Sequence, residues 1–177
     1  MNLISELQYQ VNPSHAVLSP CRNYRYALSR IWDASLPYVL FIGLNPSTAD
    51  ETEDDPTIRR CIGFAKSWGY GGLIMANLFA WRATEPAEMM RQDDPLGEKN
   101  DAWLVELASN AGVVVAAWGN DGSFRQRSAH VRTFLTGLHY LKLNGTGEPA
   151  HPLYLKQTLT PVLWTVMAES PASETDN

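Results

Sequence analysis

Four short apolar runs constrain the fold of this chain more than any other feature of its sequence. They are "YVLFIGL" (38–44), "LIMANLFA" (73–80), "GVVVAAWG" (112–119) and "LHYLKLNG" (138–145). Because the runs are continuous rather than alternating, they are typical of strands buried on both faces of a parallel sheet. The sequence therefore predicts a central, mostly parallel sheet of four strands.

The segments between these runs carry helical patterns. Residues 55–69 place small and apolar side chains on one stripe, with Asp55 as a candidate N-cap and Gly69 as a candidate stop. Residues 100–112 predict a second helix, and a third is expected within 123–137. Strands that alternate with helices indicate βαβ units. The predicted fold class is a three-layer α/β/α domain.

The two ends of the chain differ from its middle. Residues 23–33, "NYRYALSRIWD", are aromatic and partly alternating, which predicts an antiparallel edge strand or a small β-hairpin. The polar segment 169–177, "ESPASETDN", predicts a disordered tail. Residues 1–168 are expected to form one domain.

Composition excludes several classes of protein. With 45% hydrophobic and 19% charged residues, the chain is typical of soluble globular proteins. It has no apolar stretch of about 20 residues and no signal-peptide pattern, so we expect no membrane partner. Cys21 and Cys61 match no zinc or iron–sulfur spacing and predict reduced thiols in a cytoplasmic protein. The net charge of −5 argues against an extended grip on nucleic acid.

Polar residues cluster where the predicted strands end, which is where ligands bind in open α/β sheets. These ends carry the loop "GLNPS" (43–47), Asn77, the turn "WGN" (118–120) and His151. The proline after Asn45 favours an extended conformation that aims the asparagine side chain off its strand. The alternative for Asn45 is ordinary turn chemistry.

Asn77 and His151 are the most informative of these residues. Asn77 interrupts an apolar strand, and its amide could pair with the carbonyl and N–H edge of a pyrimidine. The alternative is that it braces the backbone. His151 lies between two prolines and could donate to negative charge developing on a substrate oxygen. A surface-loop histidine is the alternative.

Clusters of charged residues are less specific. The acidic cluster could position water or hold a metal ion, but solvated loop residues and a helix cap are the preferred interpretation. Its members are Asp50, Glu51, Glu53, Asp54 and Asp55. The basic cluster could contact phosphate, but a solvated helix face is preferred. Its members are Arg125, Arg127 and Arg132. The chain has no Walker motif, no Gly-x-Gly-x-x-Gly after a strand and no serine nucleophile elbow.

Six segments closely resemble the bacterial family known as domain of unknown function 1643. They are "RYALSRIWD", "GLNPSTAD", "DPTIRRC", "NLFAWRATEP", "AWG" and "HPLYL". The resemblance extends over about residues 20–164. It implies no settled activity.

The order of the strand ends also resembles the uracil-DNA glycosylase superfamily. Its first motif is a strand followed by Gly-x-Asn/Asp-Pro, to which "GLNPS" is similar, and its base-reading asparagine corresponds to Asn77. Its last motif begins with His-Pro, carries a catalytic histidine and adds an apolar wedge, to which "HPLYL" (151–155) is similar. This chain has Asn45 where strongly active members carry an acid, and its two cysteines cannot hold a four-cysteine cluster.

This second resemblance implies a DNA glycosylase that hydrolyses the N-glycosidic bond of uracil or another modified or damaged pyrimidine. A bulky phage-type base is included, and the context would be DNA repair or phage defence. The base would be flipped or single-stranded. We expect a monomer that needs no cofactor and no metal. The alternatives are a nucleoside or nucleotide hydrolase or transferase, and a non-catalytic sensor of nucleic acid or nucleotides.

The resemblance also implies roles for particular residues. Asn45 and Asp50 would place the attacking water, and His151 would stabilise the leaving base. The residues expected at the base are Gly43, Leu44, Pro46, Ser47, Asn77 and Phe79. The residues expected to contact DNA are Arg82, Arg125, Arg127, Leu153, Tyr154 and Leu155.

Overall fold

A mixed β-sheet forms the centre of the computed structural model, which describes residues 14–47, 49–50 and 52–165. Within these residues the strands are β1 (Ser14–Leu18), β2 (Arg25–Ile31), β3 (Tyr38–Gly43), β4 (Gly72–Asn77), β5 (Val113–Ala116), β6 (Leu138–Tyr140) and β7 (Val162–Leu163). Their order across the sheet is β1-β2-β4-β3-β5-β6-β7.

The four predicted strands lie side by side in the middle of this sheet. β3 pairs in parallel with β4 and β5, and β5 pairs in parallel with β6. The predicted count of four is nevertheless wrong, because β1, β2 and β7 extend the sheet by antiparallel pairing. β7 has two residues, both exposed, and β1 is only half-buried, so neither has an apolar pattern that sequence alone can reveal.

The antiparallel strand predicted within residues 23–33 is present as β2. β1 and β2 form an antiparallel pair, with Ala16 opposite Leu28, and β1 is the edge strand. β2 lies one position further in, because its other side pairs with β4.

Four α-helices connect or flank the strands in the described part of the chain. They are α1 (Pro56–Ser67), α2 (Pro86–Met90), α3 (Asn100–Asn110) and α4 (Arg127–Phe134). Two 3₁₀ turns, at Asn120–Gln126 and Pro152–Tyr154, complete the helical segments of these residues. α1, α3 and α4 lie within the predicted regions, whereas α2, of five residues, was too short to predict.

Both ends of α1 follow the predicted signals. The Oδ1 atom of Asp55 accepts a hydrogen bond from the backbone N–H of Ile58 at 2.8 Å, which caps the first turn. Gly69, just past the helix, has φ = +82°, a conformation that glycine adopts at little cost. The cap fixes where α1 begins, directly beside the end of β3.

Helices cover both faces of the sheet. Val39 and Phe41 of β3 belong to the core that α1 closes, while Leu40 and Ile42 belong to the core beneath α3 and α4. All four side chains are fully buried. Alternate residues of the strand point into two different cores, and both sets must be apolar. The sequence of the strand is therefore continuously apolar.

None of the helices in the described segments is long and apolar enough to cross a membrane. The tail predicted at 169–177 lies outside the described residues. The expected domain of 1–168 also extends beyond them at both ends, and it stays a prediction.

Candidate functional site

A cavity of about 530 Å³ opens where β3, β4 and β5 end. Its walls come from the loop after β3, the last residue of β4, the turn after β5 and the loop that carries His151. The volume is in the usual range for small-molecule sites, about 300 to 1,000 Å³. Six of the expected site residues line it: Gly43, Leu44, Asn45, Ser47, Asn77 and His151.

Asn77 forms one wall of the cavity and is 3% exposed. It lies opposite Gly43 of the neighbouring strand, and a Cβ atom added to Gly43 would be 2.9 Å from the Asn77 Oδ1 atom. Glycine at position 43 therefore makes room for the amide. The Nδ2 atom of Asn77 is buried and has no hydrogen-bond partner in the part of the chain described. A buried unpaired donor costs about 1–3 kcal/mol, which a ligand acceptor would recover.

The backbone around Asn77 is held by other side chains. Asn100, at the start of α3, donates from Nδ2 to the carbonyl oxygens of Asn77 at 2.9 Å and Leu78 at 3.0 Å. Arg127 donates from Nε to the Leu78 carbonyl at 2.9 Å. Because both donors are buried side chains from helices, the Asn77 amide is not needed as a brace. This disfavours the structural alternative for Asn77.

Asn45 is fixed by its own amide group. Its Nδ2 atom donates to the Ala83 carbonyl at 2.9 Å and to the Pro46 carbonyl at 3.2 Å. A ligand or water in the cavity would thus meet Asn45 through its acceptor oxygen, Oδ1. Asn45 can therefore stabilise the turn and also place a water molecule. The two hydrogen bonds from Nδ2 that hold the turn also fix the position of Oδ1.

The structure brings Asp55 to the cavity and leaves Asp50 outside its lining. The Oδ2 atom of Asp55 accepts from the Ser47 hydroxyl, while Oδ1 caps α1. Asp50 instead accepts from the backbone N–H groups of Thr52 and Glu53, each at 2.9 Å. These bonds lower the pKa of Asp50 and commit its carboxylate to its own loop.

His151 lies at the exposed rim of the cavity. The backbone N–H of Leu153 donates to its Nδ1 atom at 3.3 Å. In the neutral imidazole the proton is then on Nε2, which is the free donor. Loss of surrounding water lowers the pKa of His151, and the charge of Asp55 opposes that shift. The lowered pKa favours the uncharged imidazole, in which Nε2 is a hydrogen-bond donor.

Two residues expected at the base do not line the cavity. Phe79 is buried in the core beneath α3 and α4, with its ring centroid 5.6 Å from that of Phe124. Pro46 is buried, and its carbonyl accepts from the backbone N–H of Ala83 at 2.9 Å.

The three expected DNA-contacting arginines are engaged within the chain to different degrees. Arg127 is buried and forms an ion pair with Asp101. Arg125 is exposed and donates weakly to backbone carbonyls. Arg82 is partly buried and donates to the Arg22 carbonyl at 3.1 Å.

The three candidate wedge residues in the loop after His151 differ in exposure. Tyr154 is 91% exposed, and Leu153 is partly buried. Leu155 packs on the α1 side of the sheet, and its carbonyl accepts from Arg60 of α1. Tyr154 is the side chain that projects from the loop.

The sequence did not reveal Arg25 as a member of the site. It is 2% exposed, lines the cavity and donates from Nη1 to the Ala49 carbonyl at 2.5 Å. Burial lowers the pKa of Arg25 to about 10, and the charge of Asp55 opposes the shift. Arg25 lies opposite Leu18 of β1, and its backbone N–H donates to the carbonyl of Ala80. Its burial therefore comes from tertiary packing, for which a single arginine in a half-alternating segment gives no signal.

No cluster of three or more His, Cys, Asp or Glu side chains that could hold a metal ion occurs among the described residues. Glu51 of the acidic cluster lies outside them.

Comparison with known proteins identifies the family but not the activity. The model of a family described as "Protein of unknown function (DUF1643)" matches residues 25–153, which are most of the chain. No curated protein and no solved structure matches the chain significantly. The match spans the strand ends and the loops that form the cavity. The chain therefore belongs to the DUF1643 family of proteins of unknown function.

Proposed function

We propose that the chain is a DNA glycosylase that hydrolyses the N-glycosidic bond of uracil or another modified or damaged pyrimidine. The observation that carries this proposal is the amide of Asn77, which is buried in the cavity wall with an unpaired Nδ2 atom. Asn100 holds the carbonyl of Asn77 and Arg127 holds that of the next residue, Leu78, so the amide itself is available to a ligand. A carbonyl beside an N–H, as on a pyrimidine edge, satisfies an amide donor and acceptor together.

The other cavity residues supply the remaining parts of such a reaction. Water attacks the anomeric carbon of the sugar, and Asn45 orients it through its fixed acceptor oxygen. The electrons of the breaking bond move to the base. His151 then donates from Nε2 to the negative charge on a base oxygen, which stabilises the departing group. An uncharged donor suits this task because a neutral imidazole needs no compensating negative charge before the base binds.

The size of the cavity bears on the substrate. About 530 Å³ is enough for a drug-sized ligand and exceeds the needs of an unsubstituted pyrimidine ring. Bases with bulky substituents, including phage-type modified bases, therefore belong to the proposed substrate class. The base would enter after leaving the helical stack or from single-stranded DNA. Tyr154, exposed beside the rim, is the candidate to contact the space that the base vacates.

A second candidate is hydrolysis or group transfer on free nucleosides or nucleotides. Two observations favour it: Arg127 is buried and forms an ion pair with Asp101, so it is not available to phosphate, and the chain has a net charge of −5. Both weaken the case for a long phosphate-binding surface. The cavity chemistry would be the same for this substrate.

The test is release of a free base, detected by mass spectrometry. The chain is incubated with single-stranded and double-stranded oligonucleotides that each carry one modified pyrimidine, and with the matching free nucleosides. Release from DNA alone supports the glycosylase, and release from nucleosides alone supports the second candidate. The Asn77→Asp variant should shift which base is released, because an ionised carboxylate has only acceptors. No release from any substrate would refute both.

A further inference from the structure

The proposed hydrolysis needs a group that accepts a proton from water, and Asn45 cannot serve because its side chain is an amide. Among the described residues, two carboxylates line the cavity, those of Asp55 and Asp121. Asp55 lies between the loop after β3 and the start of α1. Its charge also reaches His151 and Arg25 on other walls of the same cavity.

The carboxylate of Asp55 is held at both oxygens. The Ser47 hydroxyl donates to Oδ2, and the backbone N–H of Ile58 donates to Oδ1 at 2.8 Å. An ionised carboxylate has about four lone-pair sites, so two remain after these bonds. The group is therefore oriented, and it keeps capacity for a water molecule.

Two other buried polar side chains indicate that a ligand belongs beside Asp55. Asn77 is 3% exposed and Arg25 is 2% exposed, and both line the cavity. The Nδ2 atom of Asn77 and the Nε atom of Arg25 have no hydrogen-bond partner in the described segments. Capping α1 accounts for neither of these unpaired donors. A polar ligand would.

We propose that Asp55 is the catalytic residue that accepts a proton from the attacking water, with Asn45 orienting that water. This inference rests on the proposed glycosidic hydrolysis. The water oxygen forms a bond to the anomeric carbon as the carbon–nitrogen bond breaks, and the bonding pair leaves with the base. One water proton passes to Asp55 and then to solvent, and the base anion takes up a proton from solvent.

The helix-capping role of Asp55 can be separated from this catalytic role by substitution. Asn and Ser cap helices about as well as Asp does. Neither is a useful proton acceptor at neutral pH. Asp55→Asn also keeps the shape of the side chain, and its Oδ1 can still accept from Ile58 or Ser47. A loss of rate in both Asp55→Asn and Asp55→Ser would therefore report the missing carboxylate.

The experiment is single-turnover base release by the full chain on the best substrate of the parent, beside a binding titration and thermal melting. Loss of a general base typically costs about 100- to 10,000-fold in rate. Asp55→Asn should fall in this range while binding stays within about fivefold of the parent. Asp121→Asn, which removes the other carboxylate, should lose at least tenfold less than Asp55→Asn.

Other outcomes overturn the inference. Asp55→Asn releasing base within about fivefold of the parent rate would do so, as would a larger loss in Asp121→Asn. If neither Asp55 variant folds, the pH dependence of single-turnover base release by the folded parent decides: a rate that falls as the carboxylates become protonated supports the inference, and a rate that does not change with pH contradicts it. A parent chain that releases no base refutes the proposed function itself, so the two failures are distinguishable.

Discussion

The position of the Asn77 side chain depends on Gly43, the residue opposite it on β3, which has no side chain. A Cβ atom on Gly43 would approach the Asn77 Oδ1 atom to 2.9 Å, which is closer than ordinary contacts allow. The amide can rotate away, so the strand itself need not move. Gly43 thus controls where the amide points.

Gly43→Ala should therefore reduce base release at least tenfold while the melting temperature changes by only a few degrees. The matched control is Gly145→Ala, because an added Cβ there meets no atom within 4 Å. Single-turnover release and thermal melting of both variants are the measurements. Equal activity in Gly43→Ala and the parent would show that the amide does not read the base.

His151 tests the stabilisation of the leaving base. Removing one donor to a developing negative charge typically costs about 100- to 1,000-fold in rate. His151→Ala should lose that much base release, keep DNA affinity within a few-fold, and melt close to the parent because the residue is exposed. Base release and binding are measured on the same oligonucleotide. Release at the parent rate would mean that this loop is not catalytic.

Single residues also show where sequence reasoning reached its limit. The place of Asn77 in the cavity wall could be predicted, because an amide side chain inside an apolar strand needs hydrogen-bond partners. The resemblance to the glycosylase superfamily predicts Phe79 at the base, but β4 ends at Asn77. The alternation of a strand no longer applies beyond that point, and Phe79 turns to the opposite core. Arg25 was missed because only the packed sheet buries it.

At the scale of elements, α3 supports the site without lining it. Asn100 bonds the carbonyls of Asn77 and Leu78, so it couples the start of α3 to the end of β4. Asn110, at the other end of the same helix, is exposed and bonds only within its own helix. The two asparagines differ in burial and in partners but share the helix.

Asn100→Ala should lower the free energy of unfolding by about 1–3 kcal/mol, because two buried carbonyls lose a donor. It should also slow base release, since the strand end that carries Asn77 is no longer held. Asn110→Ala, the control, should stay within about 0.5 kcal/mol of the parent. Denaturant unfolding and base release are the measurements. A fully active Asn100→Ala would assign α3 to packing alone.

Elements marked by a cap or by a continuous apolar run were predicted, and elements that lack both signals were not. α1 has both a capping aspartate and a terminal glycine, so its limits followed from local chemistry. α2 is a single short turn of helix without a side-chain cap, β1 is only half-buried along its length, and both residues of β7 are exposed, so none of the three has a clear local signal. Tertiary packing and strand pairing, rather than local sequence, stabilise elements of this length.

At the scale of the whole molecule, the layered core separates the two cysteines. Cys61 of α1 is fully buried between helix and sheet, and burial raises the pKa of its thiol strongly. Cys21 is exposed, and a hydrogen bond with Ser19 lowers its pKa. Thiolates react and thiols do not, so the two sites should differ sharply in reactivity.

A thiol reagent should modify Cys21 in the native chain within minutes and leave Cys61 unmodified. After unfolding in denaturant, both should react. Intact-mass measurement counts the modifications, and Cys21→Ser should abolish the native reaction. Modification of Cys61 under native conditions would contradict the packing of α1 on the sheet.

The cavity walls emerge from the ribosome in a fixed order. Arg25, Asn45 and Asn77 are translated early, whereas His151 is translated after β6. At a synthesis rate of about 5–20 residues per second, the apolar edges of β3 and β4 exist for seconds before β5 can pair with β3. A nascent chain paused in that interval exposes apolar surface and unpaired strand edges. We therefore expect the nascent chain to contact chaperones during synthesis, because β3 lies between β4, which is made earlier, and β5, which is made later.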